Sequence, residues 1–303
     1  MNNPPLLVIG HGTRRPAGVG EFLEFIDRVR RRAEGRVPGV EGGLIELARP
    51  TVSDGVDRLL RREGPGGNHP AGRAGTDRTR RAGGTGSDRC PVGSRPGRIA
   101  AVPLLLGTAG HIRSDIPALL AAEQDRRPGL TFALAPALGP HPILQDLLGE
   151  RLDTALDGAP RAGTSVVLVG RGTTDPQANA DVAGIARSLW EGSGLDAVEL
   201  SFVAVTGPSL PQALERLRRV GARRIVVVPH LLFPGLLSEQ IATETALFGA
   251  EHPDLDLRVA GLIGEGDRLA DLVLHRYRQA CTTAVPALPS PAGSDLTGTP
   301  GHF

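Results

Sequence analysis

Leu6-Leu7-Val8-Ile9 is a short apolar run stopped by Gly10-His11-Gly12, the pattern of a buried strand that runs into a tight turn. Beyond it, Val19, Phe22, Leu23, Ile26 and Val29 recur at spacings of three and four, which puts them on one face of an amphipathic helix. The alternation continues with a predicted strand near 43–48, a helix near 52–62, a strand at 99–106, a helix at 114–124, a strand at 131–135 and a helix at 142–156. Strands separated by helices imply right-handed crossovers and a parallel sheet covered on both faces.

The pattern then repeats. Leu6 to Pro16 (LLVIGHGTRRP) aligns with Val166 to Pro176 (VVLVGRGTTDP), keeping both glycines, the threonine and the proline. Pro50–Leu59 matches Pro208–Leu217, the strand ending at Pro103 matches the one ending at Pro229, and Phe132–Leu152 matches Leu257–Tyr277, all in the same order. The fold predicted is α/β, with two tandem similar domains, each a parallel sheet flanked by helices. The first domain spans 1–160 and the second 161–283. Residues 64–97 have no counterpart in the second copy; they hold ten Gly, four Pro and six Arg, with Val92 as their one sizeable aliphatic side chain. Such a stretch buries too little apolar area to offset chain entropy, so a flexible loop is expected there, an inert insertion rather than an arginine-bearing lid. The tail, 284–303, is rich in Pro, Ala, Gly, Ser and Thr and is expected to be disordered.

Composition narrows the chemistry. The net charge is +1 and only 9 of 303 residues are aromatic, so neither a field nor a stacking surface draws the chain to nucleic acid. All 34 basic residues are Arg, which excludes mechanisms built on a P-loop lysine or a Schiff base. Cys90 and Cys281 are far apart and form no CxxC, so neither a disulfide scaffold nor an iron–sulfur cluster is expected. No apolar run approaches the roughly 18–20 residues that span a bilayer, and Met1-Asn2-Asn3-Pro4-Pro5 does not read as a signal peptide. A soluble, cytoplasmic protein with no membrane partner is the expectation.

In a doubly wound sheet ligands gather at the carboxyl ends of the strands. His11 stands at the end of the first strand, Glu46 near the end of the second, and the third runs through Leu104-Leu105-Leu106 into Gly107-Thr108-Ala109-Gly110-His111. Two imidazoles and a carboxylate on one rim have the chemistry to hold a divalent metal or move protons near neutral pH. Taken singly, each has a plain alternative: a turn histidine, or a carboxylate paired with Arg49. In the second copy His11 becomes Arg171, Glu46 becomes Ala204 and His111 becomes Leu237, the mark of a duplicated unit split into an active and a supporting half. Arg14 and Arg15, at the start of the first helix, and Arg171 are candidates for holding carboxylates. His230, His141 and His69 are read as structural, as a helix-start residue and as solvated, respectively.

Gly10-His11-Gly12-Thr13-Arg14, Glu46-Leu47-Ala48 to Pro50, and Val102 to Leu106 followed by Gly110-His111-Ile112 and Asp115-Ile116-Pro117 together resemble the sirohydrochlorin chelatases. The resemblance implies two similar lobes facing across a cleft. It makes His11 the proton acceptor and metal-binding histidine, His111 the second metal-binding histidine and Glu46 a residue of the substrate pocket. Leu106, Gly107, Thr108, Ala109 and Gly110 would lie against the macrocycle. The activity implied is insertion of a divalent metal into sirohydrochlorin, Co²⁺ favoured, for cobalamin synthesis. The alternatives are Fe²⁺ insertion for siroheme and a non-catalytic tetrapyrrole or metal carrier. No organic cofactor is expected, and fusion of two copies leads to the expectation of a monomer.

Overall fold

The computed structural model describes residues 3–62, 97–107, 114–264 and 266–282. Residues 64–96 of the insertion, with His69 and Cys90, the tail, and residues 108–113, His111 among them, lie outside the described residues. In chain order the first half consists of β1 (Leu6–Gly10), α1 (Pro16–Ala33), β2 (Val40–Leu44), α2 (Val52–Arg62), β3 (Arg98–Pro103), α3 (Ile116–Arg126), β4 (Thr131–Leu134) and α4 (Pro142–Leu156). The second half repeats the order with β5 (Thr164–Gly170), α5 (Pro176–Trp190), β6 (Ala197–Phe202), α6 (Leu210–Arg219), β7 (Arg224–Pro229), α7 (Leu236–Glu251), β8 (Asp256–Val259) and α8 (Asp267–Thr282).

Each half builds a four-stranded parallel sheet, ordered β2-β1-β3-β4 in the first and β6-β5-β7-β8 in the second. The registers correspond: Ile9 lies beside Gly43 and Pro103, and Val169 beside Ser201 and Pro229. β1 is apolar throughout and β5 from Val166 onward, and both strands are buried at every position, as central strands covered on both faces require. Helix starts follow local chemistry. Thr51 and Asp54 bond reciprocally to each other's backbone N–H ahead of α2, and His141 Nδ1 accepts the Ile143 N–H at 3.2 Å ahead of α4.

The last helix of each half crosses over. α4 packs on β7, β8 and α5, whereas α8 packs on α1, β3 and β4. One apolar core therefore lies between the two sheets and draws on both halves, with Leu6 and Val8 of β1, Leu144, Leu148 and Leu152 of α4, Val166 and Leu168 of β5, and Leu269, Val273 and Tyr277 of α8. Two outer cores cover the other faces, under α2 and α3 in the first half and under α6 and α7 in the second. Polar bonds reinforce the exchange. Tyr277 Oη donates to Pro4 O at 2.8 Å, Arg258 donates to Leu156 O at 2.6 Å, and Arg268 on α8 pairs with Asp146 and Glu150 on α4. No helix among the described residues is long and apolar enough to cross a membrane.

Candidate active site

The site grows from the ladder between β1 and β2. Two bonds continue that ladder past the strand ends, Ile45 N–H to Gly10 O at 2.9 Å and Glu46 N–H to His11 O at 3.2 Å. They fix Glu46 beside His11, with Nε2 and Oε1 3.8 Å apart. The imidazole is about a quarter exposed and the carboxylate about half, so both reach solvent from a rim backed by packed strands. Gly12 makes the approach possible. Its φ is +106°, and a Cβ there would lie 1.9 Å from Glu46 O. Thr13 Oγ1 then accepts the Arg15 N–H at 3.1 Å and turns the chain into α1. Glu46 was expected inside the second strand; it lies two residues beyond β2, because the chain leaves the sheet at Leu44 and the carboxylate is carried by the turn that follows. Arg49 faces Asp54 at 3.6 Å, so the side chain that faces Glu46 on this rim is that of His11 and not that of Arg49.

The second half reproduces this backbone with other side chains. Val203 N–H donates to Gly170 O, Ala204 N–H donates to Arg171 O, and Gly172, at φ +85°, would place a Cβ 2.0 Å from Ala204 O. Thr173 accepts the Asp175 N–H, as Thr13 does that of Arg15. Arg171 thus holds the place of His11, and Ala204 that of Glu46. The rim of this half keeps the scaffold and loses the imidazole and the carboxylate.

On the third strand of the first half, Leu104 is buried, with its N–H on Ile9 O at 2.7 Å. Leu106 is half-buried and Gly107 is exposed with open space beside it. Thr108, Ala109, Gly110 and His111 continue from there, outside the described residues. Leu237, aligned with His111, falls in the first turn of α7, which begins at Leu236. The helix that follows β3 begins at Ile116, six positions later in the alignment. Among the described residues no group of three His, Cys, Asp or Glu side chains is placed to hold a metal. His11 and Glu46 make a pair.

Arg14 and Arg171 are exposed. Arg15 is committed elsewhere, to Glu239 in the first turn of α7 at 2.7 Å. The next residue of that helix, Gln240, reaches Val203 O at 3.4 Å, so α7 joins the His11–Arg15 loop of one half to the Val203–Val205 turn of the other. Nothing in the sequence pattern signals this junction, because Glu239 and Arg15 are separated by 224 positions and each reads as an ordinary surface charge. A cleft of about 200 Å³ also opens between Glu21, Glu24, Phe25 and Arg28 of α1 and Leu232 to Pro234 of the second half. It contains none of the expected site residues and is smaller than the roughly 300 Å³ at which drug-sized ligand pockets begin.

Two further histidines, His230 and His141, serve the fold. His230, aligned with Leu104, is 4% exposed, and burial pushes its imidazole down to about 4 from the usual 6.5. His141 caps α4; burial, then Arg276 and His275, lower its pKa.

The fold agrees with what comparison with known proteins gives. The CbiX family model matches residues 5–65, 92–155 and 165–280. The chain belongs to the CbiX family, the sirohydrochlorin chelatases. A sirohydrochlorin cobaltochelatase of Priestia megaterium is 27% identical over 276 residues, 90% of this chain and 79% of the relative. A sirohydrochlorin ferrochelatase of the same organism is 28% identical over 274 residues, 90% of this chain and 89% of that one. Among solved structures, SirB from Bacillus subtilis with Fe³⁺ superposes with a TM-score of 0.72 at 25% identity, covering 92% of this chain and 96% of the other.

Proposed function

We propose that this chain inserts a divalent first-row metal, Co²⁺ or Fe²⁺, into sirohydrochlorin, with the chemistry carried by the rim of the first half. The observation behind the proposal is the His11–Glu46 pair, 3.8 Å apart at the carboxyl ends of β1 and β2, in a CbiX-family chain whose second half has Arg171 and Ala204 on the same backbone. Insertion exchanges one hydrated M²⁺ for two pyrrole N–H protons, so the site needs a ligand that strips water from the metal and a base that takes protons. Neutral imidazole serves as either, although one lone pair cannot do both at once. In this reading His11 Nε2 holds the metal and the half-exposed Glu46 carboxylate receives the two protons in turn, passing each to solvent, while His111 completes the ligand set. Arg14 and Arg171 hold the carboxylate arms of the substrate, and the segment from Leu106 to Gly110 lies against the macrocycle. Cobalt, serving cobalamin synthesis, and iron, serving siroheme, both suit imidazole, and affinity order alone does not separate them. The two Priestia relatives divide between the metals at nearly equal identity.

The test is anaerobic mixing of the purified chain with sirohydrochlorin and each metal, followed by absorption. Insertion is expected to depend on His11: His11→Ala should slow it by at least about 100-fold without moving the melting temperature. Glu46→Gln should slow it by roughly tenfold or more. Stoichiometric binding with no metallated product would favour a carrier instead.

A further inference from the structure

Equivalent turns follow Glu46 and Ala204. In the first, the Ala48 N–H donates to Glu46 O at 2.9 Å across Leu47, whose φ is 69°. In the second, the Thr206 N–H donates to Ala204 O at 2.7 Å across Val205, whose φ is 65°. A hydrogen bond spanning one residue at positive φ defines the rarer, strained form of the γ-turn. Glycine adopts that conformation freely, whereas a β-branched residue such as Val is a conformational outlier there. Burial does not explain why the chain carries Leu and Val at these points, since their side chains are 46% and 65% exposed. Both copies therefore hold a large apolar side chain up to solvent in a backbone conformation that disfavours it.

The place of these turns suggests what the side chains meet. Leu47 directly follows the carboxylate that faces His11, and Val205 directly follows the residue whose N–H caps Arg171 O. The first turn of α7 ties the two neighbourhoods together through Arg15–Glu239 and Gln240–Val203. Sirohydrochlorin has charged arms around its edge and broad apolar faces. The rim already supplies groups for the centre and the edge, His11 with Glu46 and Arg14 with Arg171. We propose that Leu47 and Val205 are positioning residues that rest against the faces of the macrocycle and set its orientation over His11, which gives the second half a direct part in substrate binding. The inference rests on the sirohydrochlorin reading above.

Glycine at either position removes the side chain and relaxes the turn, so binding and folding are expected to move in opposite directions. Metal-free sirohydrochlorin is titrated by its fluorescence into full-length wild type, Leu47→Gly, Val205→Gly, Leu47→Met and, as a control, Val220→Ala, which alters an exposed side chain at the end of α6. Each glycine variant should keep or raise the melting temperature, weaken binding about tenfold, and raise KM by a similar factor with kcat within about twofold. Leu47→Met should restore binding, and Val220→Ala should match wild type. Wild-type binding that both glycine variants retain would overturn the inference alone. Absence of binding by the wild type would overturn the sirohydrochlorin reading and the inference with it. A fall in kcat at unchanged KM would also count against a positioning role.

Discussion

At position 12 a side chain has nowhere to go. Its Cβ would fall 1.9 Å from Glu46 O, and the backbone already sits at φ +106°. Gly12→Ala should therefore destabilise the protein by about 3 kcal/mol and slow metal insertion by at least about 100-fold, because it pushes the Glu46 turn away from His11. Gly172→Ala meets the same obstruction at Ala204 O, so its stability cost should match while kcat is spared. Urea midpoints and single-turnover rates on the two variants check the contrast. The need for these glycines was legible in the sequence, since Gly-His-Gly and Gly-Arg-Gly recur at matching points. The strained conformation of Leu47 and Val205 was not, because neither residue type carries a signal for positive φ.

Elements were predicted best where a polar cap marks a boundary. The expected helices 52–62 and 142–156 coincide with α2 and α4, whose starts are held by Thr51–Asp54 and His141. Strand ends were predicted less well. The strand expected at 43–48 is β2 at 40–44, and the one expected at 99–106 is β3 at 98–103. In both cases apolar residues continue past the sheet, Ile45, Leu47 and Ala48 after β2 and Leu104 to Leu106 after β3, and hydrophobicity does not report where pairing stops. His230, just beyond β7, gives the pH test at this scale. Its Nε2 is buried with no hydrogen-bond partner among the described residues. The unfolded chain protonates this imidazole near 6.5 and the folded one only near 4. The stabilising difference is therefore complete above pH 6.5 and declines as pH falls, by about 3 kcal/mol at pH 4. His230→Leu, which installs the residue type of Leu104, should remove that part of the acid sensitivity and stabilise the protein by about 1 kcal/mol at pH 7. Urea denaturation at pH 7 and pH 4.5 measures both effects.

For the whole molecule, the division into two similar α/β halves was readable from the repeat, but the crossing of α4 and α8 was not. An amphipathic pattern tells that a helix face is covered and is silent about which sheet covers it. The crossing predicts that residues 1–160, expressed alone, will lack the cover that α8 gives β3 and β4 and will leave α4 without β7 and β8. That fragment should aggregate or self-associate on size-exclusion chromatography. Co-expression with 161–303 should recover a soluble complex.

The crossed helices also bear on ancestry. A forebear with a single copy of this unit that crossed its terminal helix in the same way would have donated it to a twin, as a symmetric pair whose folding weakened on dilution. Tandem fusion holds donor and acceptor on one polymer at a fixed effective concentration, and it frees one rim to lose its imidazole while the other keeps it.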